Sequence, residues 1–252
     1  MAKLPAGAFS PARVARETLI VVLVLLAYFA VSALSADRAS RALTNGRIIL
    51  SLEKGLGIFI EPWMQRLVVE SQLVLFFNVV YLIVHPAVTI GVLLYLFTFD
   101  ESRYAAARNL FVMFSLLAFA IYLLFPAAPP RMIREAGLND LLLVKGPASY
   151  HSGLLKALVN PYAAMPSVHF GYSVIIALTI FQLTRRSPLG LTASIYPILM
   201  LVSVAATANH FIADCLAALG ILALSRILVS WLSTRTLGET FKTRPGGWFG
   251  RG

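Results

Sequence analysis

Four histidines occur in the chain, and two of them stand in settings that suit chemistry on a phosphate ester. His210 lies in the stretch Ala208-Asn209-His210-Phe211-Ile212-Ala213-Asp214. Residues four apart share a helix face, so the Asp214 carboxylate comes one turn beyond the imidazole. There it can hold one ring nitrogen, fix the tautomer and raise the basicity of the other, as a nucleophilic or general-base histidine requires. His169 lies in Met165-Pro166-Ser167-Val168-His169, where Pro and Ser mark a helix start. Ser167 is placed to cap that helix, whose free N–H groups and positive dipole end favour a phosphate. Arg131, after Pro129-Pro130, adds a guanidinium able to grip a phosphate with two parallel hydrogen bonds.

Other readings of the same residues have weaker support. His169, His210 and Asp214 are the right types for zinc. A serine hydrolase built on Ser167 would lack a Gly-x-Ser-x-Gly elbow, and residues two apart on a helix point to different faces. Asn78, Tyr81 and His85 form a polar stripe at helical spacing. His85 falls about 13 residues into its apolar segment, roughly 20 Å at 1.5 Å per residue, so it is expected too deep for a surface site and is assigned to interhelical hydrogen bonding. His151 reads as a solvated loop residue, with Asn160 and Tyr162 near the entrance of the site.

The elements that must position these groups are set by lipid. The chain has 252 residues, 59% hydrophobic and 13% charged, with a mean hydropathy of +0.81, outside the range of soluble domains. A spanning helix needs roughly 20 apolar residues, because no water is present to bond the backbone. The predicted fold is therefore all-α, a polytopic six-transmembrane-helix bundle with spans near Thr18 to Leu34, Gln72 to Phe97, Ala107 to Phe125, Ser167 to Thr184, Gly190 to Ala208 and His210 to Leu232. Residues 1–17 read as a cytoplasmic leader, 18–232 as a single membrane catalytic domain and 233–252 as a basic, disordered tail. The leader carries Lys3, Arg13 and Arg16, and Asp37, Arg38 and Arg41 follow the first apolar run, which is read as a retained span.

Between the first two spans, Ile48, Ile49, Leu52, Leu56, Phe59, Ile60, Trp63, Leu67 and Val68 recur at helical spacing, with Arg47, Lys54, Arg66 and Glu70 elsewhere on the wheel. This predicts an amphipathic pair of short helices, interrupted at Pro62. It either lies in the headgroup layer with Trp63 at the interface or packs over the outer mouth of the bundle. The net charge of +10 sits in loops and tails, where an anionic lipid surface is a simpler partner than nucleic acid. Dense positive charge in the leader, in Arg103 to Arg108, in Arg185-Arg186 and in Arg235 to Arg251 predicts both termini to be cytoplasmic and the histidines to be on the outer face. Because spans alternate in direction, the starts of the fourth and sixth meet the Arg131 loop at one surface in either orientation. The single cysteine, Cys215, excludes an intrachain disulfide.

Pro129-Pro130-Arg131, Met165-Pro166-Ser167-Val168-His169 and the run from His210 through Asp214 to Gly220 resemble the motifs of the type 2 phosphatidic acid phosphatase superfamily. Within it, the likeness is to the branch containing inositol phosphorylceramide synthase. The resemblance implies that His210 attacks phosphorus to give a phosphohistidine, Asp214 orients it and His169 protonates the leaving oxygen, with no metal or other cofactor. Arg131 and Ser167 would bind the phosphate, and membrane lipids would be the partners. The sequence departs from the phosphatase pattern, which has a lysine well ahead of an Arg-Pro pair and a Ser-Arg pair ahead of the last histidine. Here Pro130 precedes Arg131, and Ser203-Val204 stands in place of Ser-Arg. Fewer cations suit a phosphodiester monoanion better than a monoester dianion, so headgroup transfer, as in the inositol phosphorylceramide and sphingomyelin synthases, is the expected reaction. Lys145, Lys156 or Arg134 could restore the charge and with it a phosphatidic acid or polyprenyl phosphate phosphatase. The rival of another class is a non-catalytic lipid-binding or transport protein, although the inverted repeats and broken mid-membrane helices common in transporters are not apparent in the sequence.

Overall fold

The computed structural model describes residues 9–35, 37–145, 160–184 and 187–240. Lys3, His151, Lys156, the Arg185-Arg186 turn and the tail beyond Thr240 lie outside the described residues. All regular structure among the described residues is helical: α1 (Pro11–Ser35), α2 (Ala39–Leu56), α3 (Glu61–Glu70), α4 (Val74–Phe99), α5 (Glu101–Leu124), α6 (Val168–Thr184), α7 (Pro188–Ala206) and α8 (Ile212–Thr240), with short helical turns at Pro130–Met132, Arg134–Ala136 and Leu141–Lys145. Four helices are long and apolar enough to cross a membrane, namely α1, α4, α5 and the Ile212–Thr234 part of α8. The remaining two expected spans form shorter apolar helices, Val168–Thr184 and Gly190–Ala206.

Local sequence explains where these helices start and bend. The Asp100 carboxylate accepts from the Arg103 N–H at 3.0 Å, capping α5 and making the turn out of α4 tight. Ser187 does the same for α7 through Gly190 N–H at 3.3 Å, with Pro188 at the first helical position. Within α4, Pro86 has no N–H to give and would clash with the carbonyl one turn back. The helix absorbs this by widening to a π turn over Val80–Val84. That widening re-aims Tyr81 and His85, which become important at the site.

The helix pair α2 and α3 departs from the expected pattern. The break falls at Gly57, whose left-handed φ of 69° favours a residue without a Cβ, and Pro62 instead helps to start α3. The apolar stripe Ile48, Leu52, Leu56, Trp63 and Leu67 faces outward. The inward face carries Asn45, Glu53, Glu61 and Gln65, with both glutamates wholly buried. The reason is that this face covers non-helical segments whose backbone groups need partners. Asn45 Nδ2 donates to Pro126 O at 2.8 Å, and Gln65 Nε2 donates to Ala206 O and Asn139 O, each at 2.9 Å. The pair thus packs over one mouth of the bundle while presenting apolar side chains on its far side.

Helix α1 is peripheral, with only Glu17 and Ser35 buried. Glu17 pairs with Arg108 at 2.6 Å and accepts from the Tyr104 hydroxyl at 3.1 Å, while Val24, Ala27, Tyr28 and Val31 pack on Phe119 and Tyr122 of α5. The central core gathers Phe111 and Phe114 of α5, Phe170, Ile175 and Ile176 of α6, Met200 and Val204 of α7 and Leu222 of α8. At Gly171 the Phe114 ring packs directly on the backbone, so an added Cβ would collide with it. Gly171→Ala is therefore expected to destabilise the protein by about 1–3 kcal/mol through overpacking, read as a lower melting temperature in detergent. Combining it with Phe114→Leu should recover part of the loss; an unchanged melt in the single variant would contradict the packing described.

Candidate active site

Backbone hydrogen bonds lace the three motif segments together before any side chain is considered. Ala127 N–H donates to Tyr162 O at 2.9 Å and Ala164 N–H to Ala127 O at 3.2 Å, so the segment ahead of Arg131 is paired with the segment ahead of His169. Arg131 N–H donates to Ala208 O at 3.1 Å, and Ser167 N–H to Asp214 O at 3.0 Å. Ala208 itself holds a left-handed φ of 57°, uncommon for a residue with a Cβ. It allows both Asn209 and His210 N–H groups to turn back onto Val204 O, at 3.0 and 3.1 Å. The sharp end of α7 therefore delivers His210 against the start of α6.

His210 Nδ1 lies 2.7 Å from Ala164 O and 3.5 Å from Asp214 Oδ2. A carbonyl can only accept, so Nδ1 carries the proton and Nε2 bears the lone pair. The expected carboxylate is present at the ring's edge, but the shorter contact that fixes the tautomer is to the carbonyl. Asp214 Oδ2 instead accepts from Phe211 N–H at 2.8 Å, pinning the loop that carries His210. Ser167 caps α6 as expected, its Oγ accepting from Phe170 N–H at 3.3 Å, and it is fully buried. Ser167 and Asp214 both stand behind the cavity wall, outside its lining.

That cavity, about 280 Å³, is lined by His169, His210, Arg131 and Asn209 on its polar side. Val24, Leu25 and Tyr28 of α1 with Phe119 and Val168 supply much of its apolar side. Arg131 Nε pairs with Asp140 at 3.2 Å and its Nη1 donates to Asn209 Oδ1, while Asn209 Nδ2 donates to Thr207 Oγ1 at 2.7 Å. The guanidinium is thereby held in one orientation. It is the only Lys or Arg among the described lining residues; Arg134 and Lys145 are exposed and line no part of the cavity. Asn160 lines the cavity and its N–H donates to the Tyr28 hydroxyl at 2.9 Å, whereas Tyr162 packs into the core beneath α2.

His169 is where the structure departs most from the sequence expectation. Its ring lies 4.2 Å from Tyr81, 5.4 Å from His85 and 6.0 Å from His210, centroid to centroid. His85 therefore borders the site rather than lying too deep for it. Depth counted along α4 misleads because the mouth is roofed by α2, α3 and the motif loops, so the histidines sit well inside the bundle. The expected interhelical bond also forms, His85 Nδ1 to the Tyr196 hydroxyl of α7 at 2.6 Å.

Sequence reasoning gave no site role to Tyr81, His85, Asn209, Glu53 or Glu61. Asn209 adjoins a candidate histidine, and Pro86 next to His85 signalled a disturbed helix. The glutamates gave no such sign within an amphipathic pattern. Glu61 Oε1 accepts from Ile212 N–H at 2.8 Å and Glu53 Oε1 from Ala213 N–H at 2.6 Å, so both meet the first turn of α8. Burial pushes Glu53 up to about 9, partly opposed by the Ala213 N–H and reinforced by Glu61, and burial likewise raises Glu61. Among the described residues, no group of three or more His, Cys, Asp or Glu is arranged to hold a metal ion.

A family profile for the PAP2 superfamily matches residues 47–228. No curated protein and no solved structure matches the chain. The matched stretch runs from α2 into α8 and contains Arg131, Ser167, His169, His210 and Asp214, leaving α1 outside it. Members of the superfamily are phosphatases and phosphotransferases acting on phosphate esters. With well over half of its 252 residues matched, including every segment that builds the cavity's polar side, the chain belongs to the PAP2 superfamily.

Proposed function

We propose that the protein is a six-span membrane enzyme that transfers or cleaves a lipid-linked phosphate ester through a phosphohistidine on His210. The observation that carries this reading is the shape of the cavity: His210, His169 and Arg131 meet in a pocket whose other wall is apolar and partly formed by the peripheral helix α1. A phosphate can reach the histidines there while its lipid portion stays against α1, α5 and the bilayer. The outward stripe of Ile48, Leu52, Leu56, Trp63 and Leu67 fits a helix pair resting in the headgroup layer. The shorter helices α6 and α7 complete six crossings, with the site at the outer face and both termini cytoplasmic.

In the first step His210 Nε2 attacks phosphorus, the bond from phosphorus to the leaving oxygen breaks, and that oxygen takes a proton from His169. The Nδ1 proton stays shared with Ala164 O while the Asp214 carboxylate offsets the charge developing on the ring. In the second step an acceptor hydroxyl or water gives its proton to His169 and attacks phosphorus, and the bond to Nε2 breaks. Arg131 faces the phosphate charge throughout. Among the described residues a single cationic side chain lines the cavity, already paired with Asp140, and this suits a phosphodiester monoanion. This favours headgroup transfer of the inositol phosphorylceramide synthase type over hydrolysis of phosphatidic acid or polyprenyl phosphate.

His210→Ala is expected to abolish turnover and, by leaving Ala164 O without its donor, to lower the melting temperature by a few degrees while the protein stays folded at assay temperature. His169→Ala should lower kcat by about 10²–10⁴-fold, the usual range for losing a general acid. Full activity of the His210 variant in purified form would sink the covalent mechanism.

Product analysis in mixed micelles separates the reactions. A labelled phosphoinositide with an alcohol acceptor should yield headgroup transfer that disappears in His210→Ala. Release of inorganic phosphate from labelled phosphatidic acid would make the protein a lipid phosphatase instead. Asp214→Asn distinguishes a catalyst from a lipid-binding protein: kcat should fall with KM little changed, whereas a binding role predicts weakened lipid binding and no turnover in either form.

A further inference from the structure

Three consecutive backbone N–H groups at the start of α8 are each taken by a different carboxylate: Phe211 by Asp214, Ile212 by Glu61 and Ala213 by Glu53. These donors have no partner within the helix, and a negative charge there also suits the helix dipole. Glu53 and Glu61 come from different helices and lie in hydrogen-bonding reach of each other. Their second oxygens, Oε2 in both, are buried with no N–H or O–H donor in reach. Two bare carboxylates so placed would repel, and neither could donate; a single proton turns the same contact into a hydrogen bond and leaves one net charge for the helix end.

We propose that Glu53 and Glu61 share one proton and act together as positioning residues, holding the first turn of α8 and the His210 loop in register. The functional part of this rests on His210 as the nucleophile. The ionisable groups bearing on the pair are acidic: Asp214 acts on Glu53, and Cys215 of α8 is coupled to both glutamates. Lys54, next to Glu53 on α2, is turned to Glu135 O at 3.2 Å and to the Phe59 ring. Glu53 is raised from 4.5 to about 9. An acid with a raised folded-state value holds a proton that the unfolded chain would release. Its contribution is therefore complete below about pH 4.5 and is lost as the pH rises through about 9. Above that pH the pair becomes two buried charges and the loop loosens.

The test uses the full chain in detergent micelles, as wild type and as Glu53→Gln, Glu61→Gln and the double variant. A glutamine can accept from the backbone with its oxygen and donate its amide to the remaining carboxylate, so each single variant mimics the protonated pair. In the double variant two amide donors face each other with no acceptor. Infrared spectra against pH should show a protonated-carboxyl stretch in the wild type that titrates near pH 9 and is absent from each single variant; no such band, or one untouched by either substitution, overturns the shared proton. This arm needs no substrate, so it holds even if no lipid is turned over. For kcat, the wild type should fall above about pH 9 while each single variant stays level, and the double variant should lose at least about tenfold, as expected when buried donors lose their acceptor. An alkaline limb that persists in both single variants overturns the positioning role.

Discussion

The structure depends on one constraint: polar backbone buried in an apolar bundle must find partners inside the protein. A buried donor or acceptor left without one costs about 1–3 kcal/mol, and no water is present in lipid to relieve it. Chemistry requires non-helical backbone at the site, because loops let residues far apart in sequence converge. Here the segments 126–131, 160–167 and 207–214 satisfy one another across their gaps, through Ala127 with Tyr162, Arg131 with Ala208 and Ser167 with Asp214. The helices α2 and α3 supply the rest with Asn45, Gln65, Glu53 and Glu61. The polar face of that helix pair is thus a consequence of the loops beneath it.

The same constraint divides what could be read from sequence from what could not. Apolar runs are read directly from composition, so all six apolar segments were legible as helices, although α1 and α5 start well ahead of the expected Thr18 and Ala107. Four reach spanning length and two are shorter. What is local was legible: Ser167 caps its helix, and Asp214 comes to 3.5 Å from the His210 ring, although His210 lies just ahead of α8 and not on it. Illegible were the partners set by tertiary approach. The tautomer of His210 is fixed by Ala164, 46 residues away in sequence, and no spacing rule links a histidine to a distant carbonyl. The buried glutamates were hidden for the opposite reason. The stripe through Ile48, Leu52 and Leu56 is real and faces outward, but a helical wheel does not report what its polar face meets, so the partners of Glu53 and Glu61 stayed hidden. His85 was misplaced because helical rise measures distance along a helix, and not how deeply loops sink the site below its ends.

Charge at the site follows a similar economy. Arg131 is engaged by Asp140 and Asn209, which spends part of its hydrogen-bonding capacity on its own orientation. A guanidinium held this way gives up reach and gains direction. His169, set among Tyr81, His85 and His210, has aromatic faces on several sides. Its ring orientation is therefore a property of α4 as much as of α6, and the widened turn ahead of Pro86 is what brings α4 into that role.

Helix α1 stands apart from the stretch shared with the superfamily. It is fastened at one end by Glu17 with Arg108 and beyond its other end by Arg38, which donates to Leu123 O. Between these fastenings it contributes Val24, Leu25 and Tyr28 to the cavity wall. The groups suited to bond-making therefore lie in the matched stretch, while part of the opposite wall is contributed by α1 from outside it. Substitutions at Val24 or Leu25 reshape that wall without removing a hydrogen bond of the motif loops, whereas Tyr28 is tied to them through Asn160 N–H, so the wall is separately evolvable only at its apolar positions.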